Sequence, residues 1–212
     1  MNNPCIHNYN DVKHLLNADS VIFDIGLNIG NFSDLICKNN KYKQLFVFEP
    51  VSKYFNEAKQ RLNNYKNIKI YNIGLSNTNE TLPIYIAGDH HKGWNTFLEK
   101  DPNQKEHFYE KMKKEFANVI TLDKFCEENK IDKIDFVKID VEGFECRVIE
   151  GFLNTLERIE KKPYIYIEVG WGTNHPEWIY CKNIYNKLFE IGYQPIEFSN
   201  ETKDILFCPL SN

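Results

Sequence analysis

The stretch Val21 to Gly30, VIFDIGLNIG, constrains this chain more than any other. Val21, Ile22, Phe23 and Ile25 surround Asp24 and read as a strand covered on both faces, as in a parallel sheet. Gly26 then permits a sharp turn and a close approach of the backbone to a ligand, because no Cβ stands in the way. Gly30 falls where the next helix, marked by Phe32, Leu35 and Ile36, exposes its unpaired amides. A strand, a glycine turn and a helix start predict a small polar ligand in the crevice beyond the strand's carboxyl end. A tight turn without a ligand fits the same residues, so the neighbours of the stretch have to decide.

The spacing is G-x-N-x-G and not the dinucleotide pattern G-x-G-x-x-G. Asn28 stands where a second glycine would make room for a pyrophosphate, and Asp24 precedes the turn by two residues. An acid there repels a diphosphate and attracts a cationic amino group, which favours S-adenosylmethionine over NAD. Glu49, a little over twenty residues after the turn, closes the next strand, Gln44 to Glu49. A carboxylate at that place accepts hydrogen bonds from ribose hydroxyls, and it can also cap the helix of Phe55, Ala58 and Leu62. A third strand, Asn67 to Ile73, runs into Gly74, Leu75, Ser76 and Asn77, either the edge of an adenine pocket or an ordinary turn.

With 212 residues, 42% of them hydrophobic and 26% charged, the chain is expected to fold as a single domain over 1–212. A formal charge of −4 and a pI near 5.9 give no electrostatic reason to expect nucleic acid as a partner. The six cysteines are scattered without metal spacing and read as reduced thiols. No apolar run approaches ~20 residues, so no membrane span is expected, and the expected location is the cytoplasm. Oligomeric state is left open.

His14, Leu15 and Leu16 mark a short helix before the first strand, over the ligand or under the sheet. Residues 88–118 form a polar insertion, expected to be a lid or acceptor-binding segment. His91, Trp94 and Asn95 are its candidate acceptor contacts, with Trp94 as an apolar plate for a sugar or an aromatic ring. Solvated histidines and a tryptophan that pins the loop are the plainer alternative. Phe108, Met112 and Phe116, at i, i+4 and i+8, predict a helix there.

In the second half, IDFVKID (Ile134 to Asp140) is a buried strand. Val141, Glu142 and Gly143 follow it, and then a helix with Phe144, Val148 and Phe152 inward. Tyr164 to Val169 is the next strand, and Tyr193 to Phe198 with Asp204 to Cys208 form a closing antiparallel hairpin, turning at Asn200 to Lys203. A parallel sheet that ends in such a hairpin is the architecture of the Rossmann-like methyltransferases. Lys138, inside an apolar strand, needs a partner, and Glu168 on the following strand is the expected one. Asp140 and Glu142 flank the strand end where an acceptor would meet the cofactor, and either could be the general base, with His175 as a competitor. A Mg²⁺ ion on Asp140 and Glu168 is an alternative way to acidify a hydroxyl, although no metal ligand is assigned.

The segments FDIGLNIGNFS, VFEP, NIGLSN, TLDKF, FVKIDVEGFECRVIEG and IEVG together resemble the FkbM family of S-adenosylmethionine-dependent methyltransferases across about residues 20 to 170. The resemblance implies a class I methyltransferase fold, an α/β seven-stranded, mostly parallel sheet with an antiparallel C-terminal hairpin. It further implies O-methylation of a hydroxyl, commonly on a sugar, glycan or polyketide-type product. Asp24, Gly26, Asn28 and Gly30 would hold the methionine part of the cofactor, Glu49 its ribose and Gly74 to Asn77 its adenine, with Asp140 also at the cofactor. Leu27 in place of the usual alanine, and Trp94 in the inserted segment, are departures that bear on the acceptor. A nicotinamide-dependent oxidoreductase on a related sheet, and a non-catalytic module that keeps the fold, are the competing readings.

Overall fold

A computed structural model describes residues 4–88, 93–98, 112–169, 172–197 and 204–210. Its strands are β1 (Val21–Ile25), β2 (Gln44–Phe48), β3 (Ile68–Tyr71), β4 (Gly74–Leu75) and β5 (Glu80–Ile86), then β6 (Lys113–Ile120), β7 (Phe136–Ile139), β8 (Tyr164–Glu168), β9 (Tyr193–Glu197) and β10 (Asp204–Pro209). The main sheet has seven strands in the order β3-β2-β1-β7-β8-β10-β9. It is parallel except for β10, which runs antiparallel to both β8 and β9. This is the class I methyltransferase architecture that the sequence predicts, closing hairpin included.

All of β1 and all of β7 are buried, as strands covered on both faces must be. One face packs Phe23, Phe46, Phe48, Val137 and Ile165 under α4 (Leu122–Glu128), α5 (Glu145–Glu150), α6 (Leu153–Arg158) and α7 (Trp178–Glu190). The other packs Ile22, Leu45, Val47 and Phe136 under α1 (Pro4–Val12), α2 (Asn31–Asn39) and α3 (Ser52–Leu62). Tyr9, Val12 and Leu16 belong to this second core, so the amino-terminal segment, α1 and a short 3-10 helix at Lys13–Leu15, supports the sheet. No described helix is long and apolar enough to cross a membrane.

Two expectations fail for local reasons. The helix read from Phe108, Met112 and Phe116 does not include Phe116, which lies in β6, a strand that pairs antiparallel with β5 from Glu80↔Val119 to Ile86↔Lys113. In β6 the buried residues Ala117 and Val119 alternate with exposed Phe116 and Asn118, a period of two that the fourfold aromatic spacing disguised. Phe108 lies outside the described residues, as do His91 and the turn Asn200 to Lys203. Second, the helix expected from Phe144 through Phe152 divides into α5 and α6. At the break, a Cβ on Gly151 would lie 2.1 Å from the Ser76 carbonyl oxygen, so that chain crosses too closely for any larger residue.

β4, β6 and β5 form a separate small sheet. Its buried residues Ile84, Ala117 and Val119 pack with Phe97, Val51, Tyr54 and Phe144, the last three from segments that leave the rim of the main sheet. The small sheet therefore stands over that rim and closes one side of the crevice.

Phe125 of α4 sets its ring edge-on to Phe23, Phe46, Phe48 and Tyr71, with centroids 4.8–6.1 Å away. Truncating it removes these contacts and leaves a cavity under β1 to β3. Phe125→Ala is expected to destabilise the fold by about 3–5 kcal/mol. Urea unfolding checks this: the midpoint should fall with no change in slope.

Candidate active site

The registers Ile25↔Phe48 and Ile25↔Ile139 end β1, β2 and β7 at one level, so Gly26, Glu49 and Asp140 meet at the rim. The order of the chain reverses between β1 and β7, which makes this rim the switch point of the sheet. A crevice opens there, lined by Gly26, Asn28, Glu49, Asp140 and Glu142 among others.

Gly26, at φ 85°, turns the chain against the end of β7, where a Cβ would sit 1.7 Å from the Asp140 carbonyl oxygen. Its amide and that of Leu27 both donate to the Phe48 carbonyl, at 3.2 and 3.0 Å. Asn28 has a left-handed backbone, φ 51°, which asparagine tolerates better than most residues. The Asn28 amide donates to Glu49 Oε2 at 2.7 Å, and the Val51 amide to Glu49 Oε1 at 2.8 Å. Burial raises the Glu49 carboxyl to about 7 in spite of these two donors. Asn28 Oδ1 is buried and has no hydrogen-bond partner among the described residues.

Of the remaining residues read from the first half of the sequence, Gly74 and Leu75 line the cavity, as do Asn95 and its neighbour Gly93. Ser76 and Asn77 do not; they border a separate depression with Arg147 and Glu177, where Asn77 Nδ2 donates to Glu150 at 2.7 Å. Gly30 lies under Ala58 and Leu62 at the start of α2. Trp94 stands beside the cavity without lining it and is 46% exposed.

Asp24 is fully buried below the cavity floor, accepting from Ser33 Oγ at 2.6 Å. Lys138 Nζ lies 3.4 Å from Asp24 Oδ1 and 3.0 Å from Asp140 Oδ2. Lys138 and Glu168 were expected near each other across β7 and β8, and they meet through Asp140: Tyr166 is the register partner of Lys138, and Glu168, two residues on, bonds to the Asp140 carboxylate that the ammonium pairs with. Two carboxylates thus face the ammonium, one from β1 and one just beyond the end of β7.

Asp140, Glu142 and Glu168 bring carboxylate oxygens within 4.8 Å of one another. Burial opposes ionisation of Asp140, but Lys138 and the Glu168 hydrogen bond outweigh it and hold this carboxyl below its ordinary range. The Asp140 charge and burial push Glu168 upward, so Glu168 keeps the proton the pair shares. Glu142 is raised to about 8 by burial and by the charges of Asp140 and Glu145. The spacing of the three acids would admit a divalent cation, although Lys138 already supplies positive charge there.

Sequence reasoning missed Phe97, which walls the cavity, and Glu145, whose Oε1 accepts from the Val141 and Gly143 amides at 3.0 and 3.1 Å. The signal for Glu145 was its place as an acid in the first turn of a helix. Phe97 carried none, since its contacts come from three distant segments. His175, read as a competing base, lies outside the cavity lining and has both ring nitrogens engaged, Nε2 with the Gly143 carbonyl at 2.7 Å and Nδ1 with the Glu177 amide at 2.9 Å.

The sequence matches the methyltransferase FkbM domain over residues 24–195. It is similar to the 2-O-methyltransferase NoeI of Sinorhizobium fredii, 29% identical over 166 residues, which are 74% of this chain and 66% of that protein. The fold is similar to that of a methyltransferase FkbM from Methylobacillus flagellatus, at 15% identity and TM-score 0.59, over 91% of this chain and 44% of that one. An rRNA methylase from Streptococcus thermophilus shares the fold at 10% identity and TM-score 0.58, over 100% and 99% of the two chains. A Streptococcus mutans protein solved in complex with SAH does so at 11% identity and TM-score 0.58, over 98% of each. With the match running from the β1 acid into β9, and a crevice at the switch point of a class I sheet, the chain belongs to the FkbM methyltransferase family.

Proposed function

We propose that this protein is an S-adenosylmethionine-dependent O-methyltransferase whose acceptor is a hydroxyl of a sugar or glycan. The observation that carries this reading is the division of one cavity into two chemistries. Glu49 and Asn28 stand at the β1–β2 side, and Asp140 and Glu142 at the β7 side. The residues fit the cofactor. Glu49 accepts two amides and keeps lone pairs for hydroxyl donors, and the orphaned Asn28 Oδ1 supplies an acceptor for an ammonium group. Phe48, Ile73, Leu75, Ile84 and Phe97 offer an apolar wall for a flat ring.

Bound S-adenosylmethionine supplies an already activated methyl group, so the protein has to align an oxygen and take away its proton. Glu142 is the group we assign to the proton, because it lines the cavity and its elevated carboxyl makes it a stronger base than an ordinary glutamate. Asp140, kept ionised by Lys138, holds negative charge beside it. Trp94, 46% exposed beside cavity-lining Gly93 and Asn95, is the residue we assign to stacking on a sugar ring. The name of NoeI, a 2-O-methyltransferase, supports an oxygen acceptor. This chain spans 66% of that protein's length.

Calorimetric titration with S-adenosylmethionine should show binding near micromolar affinity in the wild type and none in Glu49→Ala, whereas NAD should not bind either. Silence with the wild type would end the cofactor reading. Glu142→Ala should leave that affinity nearly unchanged while transfer of labelled methyl into a cell-extract glycan fraction falls by ~10²–10⁴-fold. Equal losses of affinity and transfer would move Glu142 into the cofactor site.

The same carboxyls make stability depend on pH. Glu49, Glu142 and Glu145 have folded values of about 7, 8 and 7, above the unfolded 4.5, so the native state binds more protons than the unfolded one between these limits. Their contribution is complete below pH 4.5 and is lost as pH rises through 7 to 8. Asp140, lowered, works the other way, and its contribution disappears only as pH falls below the ordinary aspartate range. The melting temperature of the cofactor-free protein should therefore decline from pH 5.5 to pH 8.5, and Glu142→Gln should flatten the upper end of that decline.

A further inference from the structure

We infer that Thr96 and His175 are positioning residues that clamp the Val141 to Gly143 turn from opposite sides and so present Glu142 to the cavity. The inference rests on the reading of Glu142 as the reacting carboxyl. Glu142 has φ 55° and Gly143 φ 94°, two consecutive left-handed residues of which only the second is a glycine. A glutamate does not rest in that conformation by preference, and it persists only where its surroundings hold it.

The holding groups are specific. Thr96 is 2% exposed, and its hydroxyl accepts from the Leu98 amide at 3.0 Å, which leaves its proton for the Glu142 carbonyl at 2.7 Å. The Thr96 backbone exchanges two hydrogen bonds with Tyr85 of β5, so the small sheet carries this arm. On the other side, the Glu177 amide donates to His175 Nδ1, which puts the ring proton on Nε2 and makes His175 the donor to the Gly143 carbonyl. Glu145 takes the Val141 and Gly143 amides from below. Neither Thr96 nor His175 lines the cavity; both hold backbone carbonyls of the turn, and His175 Nδ1 also meets Cys181 Sγ at 3.6 Å. Their effect on the reaction runs through the turn.

The charged groups around Glu142 are Asp140, Glu145, Glu168 and Lys138, which every variant keeps; His175, which faces Glu145, is the one titratable group the test removes, and the Thr96 variants remove none. The test compares Thr96→Val and His175→Phe, which remove the donors, with Thr96→Ser and His175→Gln, which keep one. Each is made in glutamate-¹³C-labelled protein without cofactor, with the Glu142 carboxyl signal assigned from Glu142→Gln. The donor-removing variants should speed amide exchange at Gly143 by about tenfold or more, as local opening becomes easier. They should also shift the Glu142 titration toward that of an ordinary glutamate. The conservative variants should restore both readouts. Wild-type exchange and titration in Thr96→Val and His175→Phe would overturn the inference, as would failure of the conservative pair to rescue. Should Thr96→Val not fold, Thr96→Ala gives the same comparison. Titration of the wild type with SAH separates the two levels: no binding would sink the proposed function and leave the clamp measurable, whereas binding with an unmoved turn would sink the clamp alone.

Discussion

The Lys138 ammonium lies inside the sheet, 3.0 Å from Asp140 and 3.4 Å from Asp24, with the face of Phe32 5.4 Å away. Two carboxylates and one cation share a volume that water does not enter from the Asp24 side. A buried cation with two anionic partners is tolerated because each charge is compensated; removing the lysine would strand two negative charges and cost far more than the pair contributes. From this contact the electrostatics of the rim follow in order. Asp140 stays ionised, Glu168 therefore keeps its proton, and Glu142, facing the Asp140 charge, becomes a weaker acid than its type. Lys138 thus distributes protons across a site whose cavity it does not line.

The second constraint is steric. Gly26 and the Asp140 carbonyl meet so closely that any side chain at position 26 would collide with backbone, which cannot give way as a flexible side chain could. The close approach that this glycine permits is what brings the β1 turn and the β7 exit to one side of the same cavity. Asp140 N in turn donates to the Ile25 carbonyl at 3.0 Å, so the contact is stitched and not merely close. Packing and hydrogen bonding here position two functional segments separated by over a hundred residues of chain.

What could be read from the sequence was whatever depends on local pattern. The strands of the main sheet, their order of appearance and the closing hairpin announce themselves as apolar runs with turn residues between them, and Gly26, Asn28, Glu49 and Asp140 fall at strand ends where a class I sheet collects them. What could not be read depends on register or on contacts across the chain. Strand order brings Lys138 toward Glu168, but only register shows that Asp140 stands between them and that Asp24, on the other neighbouring strand, is within reach of the ammonium. Phe116 was assigned to a helix because three aromatic or apolar residues at fourfold spacing match one turn, and only the pairing with β5 shows a strand. The burial of Asp24 against Ser33 and Lys138 is a fact of packing that no motif encodes.

The small sheet gives the insertion a mechanical reason to exist. Leu75 and Gly74 enter it from the end of β3, and Thr96 leaves it to reach Glu142, so one three-stranded unit touches the cavity at both its β3 and β7 sides. Phe97, next to Thr96, walls the cavity and meets Phe144 at 5.3 Å, two residues beyond Glu142. A displacement of this sheet cannot alter the wall around one side of the cavity without also pulling on the turn that carries Glu142. Residues 93–98 join these roles, with Asn95 lining the cavity, Trp94 beside it and Thr96 on the turn. The edge of the cavity at Asn95 is therefore joined to the turn that carries Glu142 by one peptide unit and one hydroxyl, so neither can shift far without the other.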